Sequence, residues 1–104
     1  MRELGRWEYD DGSERRMVVA GEGRGGRILV VQESEGADTE LAFGMPRHVT
    51  AVSFRECEGV SGGDVVAALE AGAPDEVYVS AATRVLEECG VGFDRFSSEG
   101  DALP

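Results

Sequence analysis

Two cysteines and one histidine are the side chains of this 104-residue sequence with the most evident capacity for catalysis. Cys57 and Cys89 lie 32 positions apart, and with His48 as the single histidine this spacing matches no zinc motif. Cys57 follows a predicted strand and precedes a predicted helix, a position that a nucleophile can occupy. Its acidic neighbours Glu56 and Glu58 oppose the formation of a thiolate. We therefore expect two reduced cysteines, no catalytic residue and no metal ion.

Hydroxyl side chains and glycines at two predicted helix starts form the one group of residues for which the sequence suggests a way to bind a ligand. Ser61, Gly62 and Gly63 open one helix, and Ser80 and Thr83 open the next. If the strands before them are parallel, backbone amides and the positive ends of two helix dipoles converge there, which favours an anion such as phosphate. Both serines are also explained as plain helix caps. The alternative functional hypothesis is thus a small-ligand site of Ser61, Gly62, Gly63, Ser80, Thr83 and Cys57.

A glycine-rich segment, Gly21-x-Gly23-x-x-Gly26, has the spacing of the dinucleotide-binding fingerprint. That fingerprint requires a helix to begin at the loop, because the pyrophosphate binds to the helix N terminus. The residues that follow, Ile28 to Val31, are typical of a strand instead. We therefore interpret the segment as a hairpin loop, and we expect no cofactor.

The first half of the chain has the pattern of antiparallel hairpins. Trp7 and Tyr9 alternate with acidic residues, and Asp11-Gly12-Ser13 supplies a turn before an apolar strand. The stretch from Glu33 to Glu40 is polar, and Pro46 precedes a further strand. The predicted strands cover residues around 7–10, 16–20, 28–31 and 48–55 or 48–56.

The second half changes to helical periodicity. A helix over about 63–71 is bracketed by Ser61 and by Gly72 with Pro74. Residues 76–80 allow two interpretations: a strand, followed by a helix over 81–89, or the start of one long helix from Pro74. We prefer the strand, because Val and Tyr are better strand formers than helix formers. Gly90 to Phe93 then leads into a final short strand, and the tail over 97–104 is expected to be loose.

These elements predict a single α+β (mixed α/β) domain over residues 1–104. N-terminal hairpins would form a sheet of four to six strands, and the C-terminal half would add two short helices. Strands 17–20 and 28–31 are apolar on both faces, which predicts that both sides of the sheet are covered. Two short helices barely suffice for that. We therefore predict a homodimer that forms through the sheet.

The charge of the chain indicates its environment. It contains 21 acidic residues, 10 Arg and no Lys, for a formal net charge of −11. Residues 1–27 are neutral overall, so the whole net charge lies in residues 28–104. Self-repulsion of this size opposes folding, and molar salt removes most of it by shortening the screening length to about 3 Å. We interpret the chain as a protein of a halophilic cell.

Several functional classes are excluded by composition. The longest apolar runs, such as Ile28 to Val31, are too short to cross a bilayer, so we expect no membrane partner. The first residues lack a secretory signal, which predicts a cytoplasmic location. Acidic charge and 7% aromatic residues make nucleic acid an unsuitable partner. The leading functional hypothesis is a small non-enzymatic domain that acts through self-association or a protein partner.

Overall fold

Five strands form one antiparallel sheet, in which each strand pairs with the strand that precedes it in the chain. The computed structural model describes residues 1–57 and 59–98. Because the sheet is antiparallel and the helices are segregated from it, the predicted α+β class is confirmed. The strands are β1 (Arg2–Asp10), β2 (Glu14–Glu22), β3 (Arg27–Gly36), β4 (Arg47–Arg55) and β5 (Asp94–Ser98).

Three helices, one more than predicted, connect the later strands. Helix α1 (Ala37–Phe43) lies between β3 and β4, and α2 (Gly62–Glu70) and α3 (Val79–Glu88) lie between β4 and β5. The sequence pattern missed α1, which begins within the polar stretch. The carboxyl group of Glu14, on β2, is buried and accepts hydrogen bonds from the backbone N–H of Thr39, at 3.1 Å, and from its hydroxyl. A tertiary contact therefore holds the first turn of α1 in place.

The predicted strand over 76–80 is absent, and with it the predicted parallel pairing. Helix α3 already begins at Val79, whose N–H donates to the side-chain oxygen of Gln32 on β3 at 2.8 Å. Val77 and Val79 are both apolar because both side chains are buried, at 2% and 7% exposure, where the chain leads into the helix. Their alternation indicates burial, which a strand and an approach to a helix produce equally.

The hydrophobic core lies between one face of the sheet, here called the helical face, and helices α2 and α3. Polar contacts fix the two layers: the indole N–H of Trp7 donates to Glu70 on α2, and the guanidinium of Arg16 donates to the carbonyl of Asp75. Arg16 also lies over the rings of Tyr9 and Tyr78, at 4.9 and 4.1 Å from their centroids. The buried cluster contains Val18, Ala20, Ile28, Val30, Val52, Phe54, Val60, Val65, Leu69, Val77, Val79, Ala82 and Leu86.

The end of the described chain is more ordered than the sequence predicted. Ser97 pairs with Thr50 of β4, so the segment expected to be loose from residue 97 begins inside β5. Residues 99–104 of that predicted tail lie outside the described residues.

Candidate interaction surface

The face of the sheet opposite the two long helices, here called the open face, carries a row of side chains that runs across all five strands. The strand register places Arg6, Val19, Val31, Ala51 and Phe96 side by side in neighbouring strands. Side chains alternate along each strand, so these residues point away from the core, and none of them belongs to the buried cluster. We call the four apolar members of this row, Val19, Val31, Ala51 and Phe96, the apolar row.

The apolar row is partly exposed and has apolar neighbours on both sides. Phe96 is 41% exposed and Val31 is half-buried, whereas Val19 and Ala51 are covered by the side chains around them. The next side chains along the strands on this face are also apolar: Leu29 lies on one side of the row, and Met17 and Val49 lie on the other. The centre of the open face is therefore an apolar band, which Glu33 interrupts between Met17 and Val49 and which charged residues border at both ends.

One end of the open face is acidic. Glu8 and Glu33 lie next to the apolar band, and the outermost row consists of Asp10, Arg15, Glu35 and Arg47. Four carboxyl groups thus face two guanidinium groups, and they line a groove of about 340 Å³. We call this part of the open face the acidic end.

The opposite end is rich in arginine. Arg27 and Arg55 are directly paired on β3 and β4, and Arg24 lies in the loop between β2 and β3. The side chain of Arg27 forms an ion pair at 2.6 Å with Asp94 of β5, the residue paired with Ser53 of β4. A groove of about 560 Å³ opens here, with Leu29 among its lining residues. We call this part the arginine end.

The net charge of the chain is not carried by the sheet. The five strands contain eight acidic residues and eight Arg, so they are neutral overall. The remaining 13 acidic residues and two Arg account for the formal charge of −11. The segment from Gly62 to Glu88, which spans both long helices, alone contains six acidic residues and a single Arg. The molecule thus has an acidic helical layer and a neutral sheet.

The turn between β1 and β2 is built around Asp11. Its carboxyl group accepts hydrogen bonds from the backbone N–H groups of Ser13 and Glu14, at 2.9 and 2.8 Å, and from the hydroxyl groups of Tyr9 and Ser13. These donors stabilise the ionised form and lower the pKa of Asp11 to about 2. The same hydrogen bond raises the pKa of Tyr9. Asp11 therefore fixes the hairpin that carries part of the acidic end.

The residues predicted to bind an anion at the start of α2 are already engaged by carboxyl groups. The N–H of Gly62 donates to Glu56 at 2.6 Å, and the N–H of Ser61 donates to Asp64 at 2.9 Å. The hydroxyl of Ser61 in turn caps the N–H of Asp64. A Cβ atom on Gly62 would lie 3.0 Å from side chains of β1 and β3, so this glycine allows the helix to approach the sheet. The amides that an anion needs are thus occupied by the protein's own acids.

The second predicted group lies elsewhere on the sheet. Gly62 lies against the side chain of Ile28, whereas the first N–H of α3 donates to the side chain of Gln32. These two β3 residues are four positions, or about 13 Å, apart along the strand. Ser80 is exposed, and its carbonyl accepts a hydrogen bond from the buried Thr83 hydroxyl at 2.9 Å. The structure does not bring the two helix starts together as one site.

The remaining reactive side chains are dispersed. Cys57 and Cys89 are free and exposed; Cys57 forms the isolated bridge with Val60, and Cys89 is the C-cap of α3. The ring of His48 stacks on Phe43 with a centroid distance of 3.8 Å. Within residues 1–57 and 59–98, no three His, Cys, Asp or Glu side chains are grouped as a metal site would require.

The sequence indicates the two-sided apolar character of β2 and β3 but does not assign the open face. Neither Phe96 nor Ala51 carries a sequence signal that places it there. Their place in the apolar row depends on the register of β4 and β5, which connects residues about 45 positions apart and is not readable from a single sequence. The signal that was available is the alternation along β2 and β3, which puts Val19 and Val31 on the side away from Val18 and Val30.

In the described part of the chain, no helix has both the length and the apolar character needed to span a membrane. No protein-family model matches the sequence, and searches of curated proteins and of solved structures returned no match either.

Proposed function

We propose that this chain is a non-enzymatic association module that forms a homodimer through the open face of its sheet, in a cytoplasm of high salt concentration. The observation that carries the proposal is the position of α2 and α3. Both helices lie on the helical face, so they do not cover the partly exposed apolar row at the centre of the open face. A second copy of the chain is the occupant that we propose for it.

The size of the open face supports this occupant. Four strands of nine or ten residues and the five-residue β5, at about 3.3 Å per residue and about 4.8 Å between strands, form a face of about 670 Å². A standard stable interface buries about 600–1,000 Å² on each partner. The whole face therefore falls at the lower end of that range, with an apolar centre and a charged rim as in known interfaces.

The distribution of charge supports the same occupant. Two copies of a chain with net charge −11 repel each other, and any contact through the helical layer would bring acidic surfaces together. A contact through the neutral sheet keeps both helical layers on the outside of the dimer. Molar salt screens the remaining repulsion, so we expect self-association to strengthen as KCl concentration rises.

Sedimentation equilibrium in about 0.15 M and about 2 M KCl tests the proposal, since these concentrations bracket the change in screening. We expect twice the chain mass at high salt and weaker association at low salt. The variant Val31→Glu puts a charge in the apolar row and should give the monomer mass while remaining folded. A matched control is Leu41→Glu on α1, where Leu41 is 89% exposed, and this variant should stay dimeric.

Two outcomes would contradict the proposal. The first is the monomer mass for the parent chain at all concentrations and both salt conditions. The second is a Leu41→Glu variant that dissociates while the Val31→Glu variant remains dimeric, which would show that the contact involves α1.

A further inference from the structure

The charged ends of the open face determine how two copies would be oriented. This inference rests on the proposed self-association and concerns its geometry. A closed dimer of identical chains has a two-fold axis, and when two sheets pack face to face that axis lies in the plane between them. It can run along the strands or across them, and the two directions bring different ends of the open face together.

An axis along the strands would superpose like charges. It would bring the acidic end of one copy onto the acidic end of the other, where four carboxyl groups and two guanidinium groups already leave an excess of two negative charges on each copy. It would also bring the arginine end onto its own counterpart, where Arg24 and Arg55 remain in excess because Arg27 is paired with Asp94 and Arg2 with Glu22. Like charges facing each other at an interface are unfavourable and disfavour that arrangement. Among the charged residues of the row, the other axis brings only Arg6 near its own counterpart, and Arg6 is already paired with Glu3 at 2.9 Å.

An axis across the strands has the opposite effect, because it exchanges the two ends. We infer that two copies pair head to tail, with the two-fold axis along the apolar row, so that the acidic end of each copy faces the arginine end of the other. The apolar row lies midway between the two ends and would contact its own symmetry mate. The complementary ends would fix the orientation, and the apolar row would supply the contact area.

Crosslinking of single cysteines distinguishes the two axes. Leu29 and Glu33 lie two residues on either side of Val31 on the central strand. In the head-to-tail dimer Leu29 lies opposite Glu33 of the other copy. With an axis along the strands, Leu29 lies opposite Leu29 and Glu33 lies opposite Glu33. Leu29→Cys and Glu33→Cys are introduced separately into a chain whose native thiols are removed by Cys57→Ser and Cys89→Ser.

The two single-cysteine chains, one with an affinity tag, are mixed at the lowest KCl concentration at which sedimentation shows a dimer, so that the charged ends are screened as little as possible. A short bismaleimide then links cysteines on facing sheets, which lie about 10 Å apart. We expect the mixed Leu29→Cys to Glu33→Cys product to exceed either product of identical chains by about tenfold. A predominance of products between identical chains would overturn the head-to-tail orientation. Sedimentation of the same samples shows whether they are dimeric, so a failure of self-association is distinguished from a wrong orientation.

Charge removal provides a second test with a matched control. Glu33→Gln with Glu35→Gln removes two negative charges from the acidic end, and Glu87→Gln with Glu88→Gln removes two from the end of α3. In about 0.15 M KCl we expect the first pair to weaken the dimer three- to tenfold, since it removes attraction to the arginine end. The control pair should strengthen the dimer, because it lowers only the overall repulsion. Strengthening by both pairs would overturn the inference.

Discussion

The two faces of the sheet are made from the same strands and differ in what covers them. On the helical face Val18, Ala20 and Val30 are at most 1% exposed, and α2 and α3 exclude solvent from them. On the open face the neighbouring residues Leu29 and Val31 are only half-buried. Residues 17–20 and 28–31 are apolar on both sides of the sheet, and α2 and α3 pack on only one of these sides. An apolar strand pattern therefore predicts that a face needs cover, and it does not predict what supplies the cover.

The largest expected difference between the faces is in the free energy of unfolding. Phe54→Ala removes a fully buried ring from the helical face and should cost about 3–5 kcal/mol, as in other large-to-small core substitutions. Phe96→Ala on the open face removes a ring that is 41% exposed and should cost much less in the monomer. Urea unfolding at low protein concentration measures both values. Equal losses for the two variants would remove the distinction between the faces.

Arg16 and Arg15 sharpen the comparison, because these adjacent residues point to opposite faces. Arg16 is buried between Tyr9 and Tyr78 and donates to Asp75, so Arg16→Met should cost about 2 kcal/mol, the upper range for a desolvated cation–π contact. Arg15 is exposed at the acidic end with a 3.9 Å contact to Glu35, and Arg15→Met should have little effect. Thermal unfolding of both variants provides the measurement. A larger loss for Arg15→Met would show that the helical layer is not held by Arg16.

Salt should act mainly on the acidic helical layer. Between about 0.1 M and about 2 M KCl we expect Tm to rise by about 5 °C, which corresponds to about 1 kcal/mol for a domain of this size. Glu87 and Glu88 lie side by side at the negative end of the α3 dipole, so changing both to Gln should raise Tm at low salt and flatten the salt dependence. A Tm that is constant or falls with KCl would contradict the halophilic interpretation.

The smallest expected effect concerns the hairpin at the acidic end. The pKa of Asp11 is lowered in the folded chain to about 2 by its hydrogen bonds, below the ordinary value of 3.8. The folded state therefore gains stability from Asp11 above about pH 4 and loses it as pH falls toward 2. Asp11→Asn should make this part of the pH profile flatter. Asp10→Asn is the control, because Asp10 accepts one backbone N–H, from Gly12. Carboxyl NMR titration of Asp11 checks the pKa directly.

Local signals were sufficient for several elements. Ser61 and Gly72 bracket α2 almost at its observed ends, because the capping box of Ser61 with Asp64 depends only on neighbouring residues. The turn at Asp11 is likewise closed by residues within three positions of it. Where structure is determined by neighbours along the chain, the sequence pattern was informative.

Elements that depend on distant partners could not be predicted in this way. Helix α1 begins where the carboxyl of Glu14 reaches Thr39, 25 positions later, and Gly36 adopts φ of +134° to let the chain turn there. A side chain at Gly36 would also collide with the carbonyl of Ser13. The open face depends in the same way on the register of β4 with β5. These contacts are set by tertiary packing and leave no periodic trace.

The sequential strand order has a consequence for synthesis of the chain. A ribosome completes β1 to β4 first, and each of these strands finds its neighbour as soon as it emerges. Phe96, the outermost member of the apolar row, is on β5, which arrives only after both long helices have been made. A nascent chain therefore presents an incomplete row and lacks Asp94, the ion-pair partner of Arg27. Translation order thus delays completion of the proposed contact surface until the segments that cover the core have been made.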